Sequence, residues 1–210
     1  MSTALYGEAL RSPAAQVHLR SEDGRVVPLA AARWCEPLDG VDERVVDRLD
    51  GSTIDIGCGP GRFVTGVASR GLPVLGIDVA AVAVELTRRR GGLALRRDVF
   101  GSVPGAGRWR WALLMDGNIG IGGAPERLLN RVAELLDPCG RILVEVEAGE
   151  PTPAQLVRLE LDGRVGGWFP WAWVTLEELA DLARATALRI DHTWSDGGRT
   201  FAELLQVTSP

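Results

Sequence analysis

The sequence of 210 residues predicts an α/β fold, a three-layer sandwich in which helices cover both faces of a mostly parallel sheet. From residue 52 onward, short apolar runs of strand length alternate with amphipathic segments of helical length. A glycine-rich turn joins the first apolar run to the helix that follows it. Two further strand-like runs, separated by the turn sequence SDGGR, end the chain and predict an antiparallel hairpin.

The alternating region contains five predicted strands. They are STIDI (52–56), PVLGID (73–78), LALRRD (93–98), RWALLMD (110–116) and RILVEVE (141–147). Helices are predicted over 41–49, 62–70 and 80–90. A long helix is predicted over APERLLNRVAELLDPCG (124–140), with Pro125 in its first turn and a Pro-Cys-Gly stop. Strands that alternate with helices in this way are joined by right-handed crossovers, which makes them parallel.

Two predicted β-hairpins lie outside the alternating region. One is N-terminal, with VHLR and RVVPL around an Asp-Gly turn, and the other follows the fifth strand in QLVRLELDGRVGGWFPW. A capping box from Thr175 to Glu178 then predicts a helix over TLEELADLARAT. We therefore predict one domain over 1–210. Its parts are an N-terminal hairpin or lid (1–40), a ligand-binding core (41–149), an inserted hairpin (150–174) and a final helix and hairpin (175–210).

Composition excludes several classes of protein. No apolar run approaches the roughly 18 residues of a membrane span, and the N-terminus lacks the pattern of a signal peptide. The three cysteines, an odd number at wide spacings, predict a reduced protein of the cytoplasm. With two histidines and no Cys-x-x-Cys pair, no tetrahedral zinc site and no metal are expected.

Charge argues weakly against a nucleic-acid partner, because the net charge is −5, although a local basic patch remains open. All 23 basic residues are arginine. The absence of lysine excludes Schiff-base chemistry and a Walker-A phosphate site. We expect a small-molecule partner, and a monomer or a homodimer.

The stretch TIDIGCGPGRF (53–63) carries glycines at every second position, Gly57, Gly59 and Gly61. This G-x-G-x-G spacing differs from the G-x-G-x-x-G of dinucleotide sites, and the Gly-Lys-Ser/Thr ending of a P-loop is absent. Asp55, two residues before the first glycine, can offer negative charge to an ammonium group. The loop therefore suits a ligand whose near end is an amino acid. The alternative is a tight strand-to-helix turn and nothing more.

From about Val41 to the C-terminus, the chain resembles a class I S-adenosylmethionine (SAM)-dependent methyltransferase. The resemblance is carried by DIGCGPG (55–61), LGIDV, RRDVF, LLMDGN and LDPCGRILVEVE in that order, and by the terminal hairpin. It implies a Rossmann-like, mostly parallel seven-stranded sheet with an antiparallel C-terminal hairpin. It also implies SAM as methyl donor, S-adenosylhomocysteine (SAH) as product, and in-line transfer to an O, N or C centre of a small molecule.

The resemblance also implies a set of cofactor contacts. Asp78 would accept the ribose hydroxyls, Val79 would pack on the adenine, and Asp98 with the Val99 amide would read the adenine edge. The expected cofactor-binding residues are Asp55, Gly57, Cys58, Gly59, Gly61, Asp78, Val79, Asp98, Val99, Met115, Asp116 and Asn118. Asp78 could instead cap a helix, and Asp98 and Asp116 could simply end strands in turns. Cys58 is read as a small loop filler, not a nucleophile.

Three carboxylates are candidate catalytic bases, at or near the ends of strands four and five: Asp116, Glu145 and Glu147. A base is needed only if the acceptor carries a proton that must leave. Asp116 is our first choice, although solvated strand-end carboxylates are an equal alternative.

The segment GWFPWAW (167–173) is predicted to form an aromatic wall for the acceptor, together with Trp34, which precedes the first core helix. The expected acceptor-binding residues are Trp34, Trp168, Phe169, Trp171 and Trp173. The alternative is a satellite core that pins the hairpin to the sheet. The exposed-looking loop GNIGIGG (117–123) could be a substrate gate or a plain connection.

Other functions stay open at this stage. A protein of this fold could bind SAM without transferring the methyl group, or could use SAM in another reaction. Methylation of a macromolecule is the main rival within the methyltransferases. A nicotinamide oxidoreductase is disfavoured by the glycine spacing.

Overall fold

The computed structural model describes residues 3–12, 15–149 and 152–207. Within these ranges the chain forms seven α-helices: α1 (Thr3–Arg11), α2 (Ala31–Trp34), α3 (Gly40–Val46), α4 (Arg62–Ser69), α5 (Ala81–Arg89), α6 (Pro125–Ala133) and α7 (Leu176–Ala185). Its strands are β1 (Val17–Ser21), β2 (Val26–Pro28), β3 (Thr53–Ile56), β4 (Val74–Asp78), β5 (Ala94–Arg96), β6 (Trp109–Leu114), β7 (Leu136–Val146), β8 (Thr152–Leu161), β9 (Arg164–Val165), β10 (Phe169–Trp173), β11 (Leu188–Asp196) and β12 (Arg199–Gln206).

The central sheet has seven strands in the order β11-β12-β7-β6-β3-β4-β5. Strands β7, β6, β3, β4 and β5 are parallel neighbours, whereas β12 pairs antiparallel with both β7 and β11. The predicted α/β fold and its antiparallel C-terminal hairpin are thus confirmed. The strand order reverses between β3 and β6, and in open parallel sheets this is where ligands bind.

Helices cover both faces of this sheet, because neighbouring residues of each buried strand point to opposite sides. In β6, Ala112 and Leu114 pack in the core beneath α6 and α7, whereas Leu113 packs in the core beneath α3 and α4. All three side chains are fully buried. This two-sided burial explains why the parallel strands read as continuous apolar runs.

A second sheet, in the order β10-β8-β1-β2 with β9 also on β8, combines the two predicted hairpins. β1 pairs antiparallel with β8 over its whole length, from Val17 opposite Leu161 to Ser21 opposite Val157. The inner face of this sheet buries alternate apolar residues of β1 and β8 against α1. We call this sheet, with α1 and α2, the cap. Pairing between segments about 140 residues apart could not be foreseen from local pattern.

Helix α1 was not predicted, and two local predictions were wrong. Helix α6 ends at Ala133, and the Pro-Cys-Gly sequence lies inside β7, which begins at Leu136, at a shift in its register with β6. Ile119, in the loop that looked exposed, is fully buried within a single 3₁₀ turn.

Residues 150 and 151, at the predicted boundary of the inserted hairpin, lie outside the described residues. Among the helices of the described ranges, none is both long and apolar enough to cross a membrane.

Candidate active site

A cavity of about 540 Å³ lies between the carboxyl ends of the central strands and the inner face of the cap. This volume is within the range of small-molecule sites. Its floor comes from the ends of β3, β4, β6 and β7, and its roof from β1, β2, β8, β10 and the helices α1 and α2. The cavity therefore spans both the predicted ligand-binding core and the two predicted additions.

The glycine loop is held against the end of β4 by backbone hydrogen bonds. The amides of Gly57 and Cys58 both donate to the carbonyl of Ile77, at 2.8 and 3.1 Å. Gly61 has φ +85°, and a Cβ there would lie 2.4 Å from Cγ2 of Thr87, so only glycine fits. Gly57, Cys58 and Gly59 line the cavity, whereas Gly61 packs beneath the loop against α5.

Asp78 ends β4 and lies beside the glycine loop. Its carboxylate accepts hydrogen bonds from the amides of Gly59 (3.1 Å) and Ala80 (2.7 Å), and it lines the cavity. The N-cap residue of α5 is Ala80, so Asp78 does not cap that helix as the alternative reading supposed. Burial raises the pKa of Asp78, partly offset by these amides.

Asp55 is a buried carboxylate at the floor of the cavity, 2% exposed. No hydrogen-bond donor of the described residues reaches it. Burial raises the pKa of Asp55 to about 8, and the nearby carboxylates of Asp116 and Asp78 add to this effect. A positively charged ligand group beside this buried carboxyl group would stabilise its ionised form, so the site favours a cationic ligand group.

The far end of the cavity contains the residues expected at the adenine. Val79 is 40% exposed, although it is a large apolar side chain. Asp98 is exposed, and its carboxylate accepts a hydrogen bond from the Phe100 amide at 3.0 Å. The Val99 side chain is buried in the core, and the residue lines the cavity. The structure brings these residues to the same cavity as the glycine loop.

Asn118 connects the loop after β6 to the glycine loop. Its side-chain amide donates to the carbonyls of Ile56 (2.9 Å) and Gly57 (3.0 Å). A Cβ on Gly57 would lie 2.7 Å from the Asn118 Nδ2 atom. Asn118 therefore positions the glycine loop, a role that the sequence reading did not assign. Met115, just before this loop, is fully buried and reaches the cavity wall.

Asp116, our first choice as catalytic base, is instead held in an ion pair. Both its carboxylate oxygens accept from Nη2 of Arg62, each at 2.7 Å, and Oδ1 also accepts from Arg33 at 3.2 Å. Arg62 follows the glycine loop directly, is 4% exposed, and pairs on its other side with the buried Asp42. Both carboxylate oxygens of Asp116 therefore already accept hydrogen bonds from arginine.

Glu145 is also held in place by an arginine. Arg199 of β12 donates to both its carboxylate oxygens, and the Asp116 amide donates to Oε2 at 2.9 Å. These bonds to the charged form outweigh burial and lower the pKa of Glu145. Arg199 also donates to Asp42 at 2.6 Å, so three acids and three arginines belong to one network: Asp42, Asp116, Glu145, Arg33, Arg62 and Arg199.

Glu147 differs from these two carboxylates. It lines the cavity, and no described residue donates a hydrogen bond to its carboxylate or forms an ion pair with it. Partial removal from water and the charge of Glu145 raise the pKa of Glu147, and Arg25 partly offsets this. Although Glu145 and Glu147 are two residues apart on the same face, the structure gives them opposite electrostatic environments.

The aromatic segment divides into residues inside and outside the cavity. Phe169, Trp171 and Trp173 line it, as does Trp34 from α2. Trp168 does not line the cavity: it is 46% exposed and packs under the guanidinium of Arg158. Phe169 and Trp173 also belong to the cap core, so the two readings of this segment, acceptor wall and satellite core, both describe part of it.

Sequence reasoning missed Tyr6, which reaches the cavity from α1. Its ring packs against Trp34 with centroids 6.2 Å apart, and its hydroxyl lies 3.4 Å from where a Cβ on Gly59 would be. Burial raises the pKa of Tyr6 well above its usual value, and Asp78 adds to the shift. No described residue forms a hydrogen bond to this hydroxyl.

The arginine network was missed as well, although one signal was present. Arg62 occupies the first turn of α4, where a cation is disfavoured by the helix dipole and needs a compensating acid. Nothing local could identify that acid as Asp42, twenty residues earlier. Among the described residues, no cluster of three or more His, Cys, Asp or Glu side chains could hold a metal.

No protein-family model and no curated protein sequence matches the chain. Several solved structures are similar to it. A SAM-dependent methyltransferase from Bacteroides fragilis, in complex with SAH, is 18% identical, with a TM-score of 0.81 over 99% of this chain and 94% of its own.

Two further similar structures cover less of this chain. The 1,6-didemethyltoxoflavin-N1-methyltransferase of Burkholderia thailandensis is 19% identical over 80% of this chain and 78% of its own, with a TM-score of 0.59. CalS10, an amino pentose methyltransferase from Micromonospora echinaspora, is 17% identical over 83% of this chain and 94% of its own, with a TM-score of 0.61. The chain therefore has the fold of the class I SAM-dependent methyltransferases.

Proposed function

We propose that the protein transfers a methyl group from SAM to a small-molecule acceptor. The observation that carries the proposal is that one cavity joins the glycine loop and Asp78 to an aromatic chamber under the cap. The first half suits an adenosyl amino acid, and the second half suits an apolar acceptor. The similar structures support this, because all three names describe methyltransferases with SAH or SAM bound, and two of them name a small-molecule substrate.

The residues of the first half fit the donor. The glycines at 57 and 59 carry no side chain and would leave room for the methionyl part. The carboxylate of Asp55, which accepts no hydrogen bond from the described residues, would attract its ammonium group. Asp78 would accept from the ribose, and the exposed side chain of Val79 would cover the adenine. Asp98 and the Val99 backbone would read the adenine edge.

The bound donor would supply an activated methyl group on a sulfonium, which needs no further activation. The chain's task is to align the acceptor with that methyl and to exclude water, and orientation alone is worth up to about 7–11 kcal/mol. The cap performs the second task, because β1, β8 and β10 close over the carboxyl ends of the central strands. The resemblance and the cavity leave the methylated atom open between O, N and C.

We also propose that the protein works in the cytoplasm. All three cysteines, Cys35, Cys58 and Cys139, are free thiols, as a reducing compartment would keep them. Burial raises the pKa of Cys58 far above its usual value, so this thiol is inert in the glycine loop.

Isothermal calorimetry tests the donor site. We expect SAM and SAH to bind, and Asp78→Asn to weaken SAH binding by about 10- to 100-fold, because hydrogen bonds to a charged group are worth about 1.5–3 kcal/mol. Asp181→Asn is the matched control, since this carboxylate lies 71% exposed on α7. SAH affinity that does not change in Asp78→Asn would refute the ribose contact, and no SAH binding at all would refute the function.

Methyl-labelled SAM and a metabolite extract test the transfer step. A labelled small molecule in the extract is the expected result. Binding of SAM with no labelled product would favour the alternative, a SAM-binding protein that transfers no methyl group or that catalyses another reaction.

A further inference from the structure

We propose that Glu147 is the general base of the acceptor chamber, and that the acceptor is a ring-bearing apolar molecule with one weakly acidic O–H or N–H. The proposal rests on the methyltransferase function proposed above, and it goes beyond it by naming the base and the class of acceptor. Three features of the chamber carry it: the position of Glu147, its freedom from ion pairs, and the apolar lining around it.

Glu147 lies where the central sheet meets the cap. It follows the last residue of β7, and its amide donates to the carbonyl of Val174 at 2.8 Å, which fixes the backbone to the end of β10. Its Oε1 atom lies 3.2 Å from the position that a Cβ on Gly117 would occupy, and the Trp171 ring lies 4.0 Å from the same point. Glu147 and Trp171 therefore face the loop that follows β6 together.

Among the described residues, Glu147 is the one of the three candidates that forms no ion pair. Asp116 is held by Arg62 and Arg33, and Glu145 is held by Nε and Nη2 of Arg199. A proton placed on either acid would break a buried charge pair, which is costly. Protonation of Glu147 breaks no such contact among the described residues.

The chamber around Glu147 has the lining of a site for an apolar ring. Leu159, Phe169, Trp171 and Trp173 of the cap line the cavity that Glu147 lines, and so do Val27 and Leu29. Flat aromatic walls favour a flat ligand, because stacked or edge-on rings gain about 0.5–1.5 kcal/mol beyond burial. The Glu147 carboxylate accepts no hydrogen bond from the described residues, so a ligand O–H or N–H would be its donor.

The chemical step is balanced without a further reagent. The bond between the acceptor's oxygen or nitrogen and its hydrogen breaks, and the proton goes to Glu147. The electron pair on that atom forms the new bond to the methyl carbon, while the methyl–sulfur bond breaks and its pair stays on sulfur as SAH. Glu147 then returns its proton to solvent.

The surroundings of Glu147 set the pH range in which it ionises. Partial removal from water raises its pKa, Glu145 raises it further, and Arg25 of the β1–β2 turn lowers it. Asp116 lies across Gly117 but is compensated by its arginines. Activity that needs ionised Glu147 should therefore rise with pH through a value above that of an ordinary glutamate.

The test uses methyl-labelled SAM and six probes. Three carry an acidic proton, namely 2-naphthol, 7-hydroxycoumarin and benzotriazole, and three do not, namely 2-methoxynaphthalene, N,N-dimethylaniline and thioanisole. We expect label in at least one member of the first group and in none of the second. Glu147→Gln should lower kcat at least 100-fold with SAH affinity within twofold of wild type, and Glu147→Asp should restore part of the activity. Glu177→Gln on α7 is the exposed control.

A binding measurement completes the test. With SAH bound, 2-naphthol should bind more tightly as Glu147 ionises, and this pH dependence should disappear in Glu147→Gln, while 2-methoxynaphthalene shows none in either protein. Label in no proton-bearing probe, label only in proton-free probes, or a Glu147→Gln rate within threefold of wild type would overturn the proposal. Each of these can occur while SAH binds normally, so they are distinct from failure of the proposed function.

Discussion

Arg199 of the C-terminal strand donates from Nε and Nη2 to the two carboxylate oxygens of Glu145, at 2.7 and 2.6 Å. Its remaining nitrogen, Nη1, reaches the buried Asp42 at 2.6 Å. A residue near the end of the chain thus stabilises both a strand-end carboxylate of the cavity and the helix that precedes the first central strand. The bidentate geometry is the one in which arginine binds carboxylates most strongly.

Arg199→Met is therefore expected to destabilise the fold. Removing one partner of a buried pair typically costs about 3–5 kcal/mol, because the remaining charges are left uncompensated. Urea unfolding should show this loss, and the double variant with Glu145→Gln should lose less than the two single variants together. Arg189→Met is the control, since its pair with Asp191 lies on the surface and should change stability by less than about 1 kcal/mol.

The raised pKa of Asp55 predicts that donor binding releases a proton. With a pKa of about 8, the buried carboxyl is mostly protonated at pH 7, and the ammonium group of the bound ligand should lower this pKa. Calorimetry of SAH binding at pH 7 in buffers of different ionisation enthalpy should therefore show release of up to one proton. Asp55→Asn should abolish the release; an unchanged release in that variant would show that another group titrates.

The same shift predicts a change in stability with pH. Folding raises the pKa of Asp55 from 3.8 to about 8. Its contribution to the free energy of unfolding is therefore fully present below pH 3.8 and is lost as the pH rises through 8. Relative to wild type, Asp55→Asn without ligand should gain stability between pH 4 and pH 8. Thermal unfolding of both proteins across this range measures the difference, and a constant difference would contradict the shift.

Much of the fold could be predicted from the sequence, because the periodicity of apolar residues and the spacing of glycines are local signals. The strand Thr53–Ile56, the loop at Gly57 and the carboxylate of Asp78 come from one continuous pattern. What could not be predicted depends on contacts between distant segments. β1 pairs with β8 only because both alternate apolar residues toward one face, and no local feature selects that partner over another.

The catalytic assignment shows the same limit. Asp116, Glu145 and Glu147 all lie at or near strand ends in sequence, and nothing local shows which of them pairs with an arginine. The difference comes from Arg62 and Arg199, which the fold brings from the glycine loop and from the last strand.

Gly61 and Gly71 form a matched pair for the packing of the glycine loop. Both have positive φ, +85° and +75°, but a Cβ on Gly71 meets nothing within 4 Å, whereas one on Gly61 meets the Thr87 side chain at 2.4 Å. Gly71→Ala should cost about 1–2 kcal/mol from backbone strain alone. Gly61→Ala should cost about 1–3 kcal/mol more from overpacking. Urea unfolding compares them, and equal losses would contradict close packing at Gly61.

The position of Tyr6 in the cavity predicts that helix α1 takes part in donor binding. Its hydroxyl faces the glycine loop, so Tyr6→Phe should weaken SAH binding by about 3- to 30-fold, the worth of about one hydrogen bond. The melting temperature without ligand should hardly change, because no described residue bonds to this hydroxyl. Tyr6 is the single tyrosine of the chain, so its ionisation can be followed directly by ultraviolet absorbance.

That titration gives an independent check. The pKa of Tyr6 is raised well above 10.0 by burial, so no tyrosinate should form at pH 10 while the protein stays folded. Ordinary titration near pH 10 would mean that α1 does not hold Tyr6 in the cavity. Affinity for SAH that is the same in Tyr6→Phe as in wild type would mean that the hydroxyl does not reach the ligand.

A comparison of Trp171 with Trp168 distinguishes the acceptor wall, which contains Trp171, from the outer surface of the cap, which contains Trp168. Trp171 packs against the loop at Gly117 and Gly120, where a Cβ on Gly120 would lie 2.9 Å from its ring. Trp171→Ala should therefore destabilise the protein by about 2 kcal/mol or more, and weaken 2-naphthol binding to the SAH complex at least tenfold. Trp168→Ala should change stability by less than about 1 kcal/mol and leave 2-naphthol binding unchanged, because this ring lies outside the cavity under Arg158. Urea unfolding and calorimetry measure both effects. Equal losses of 2-naphthol affinity in the two variants would mean that the acceptor does not stack against the inner face of β10.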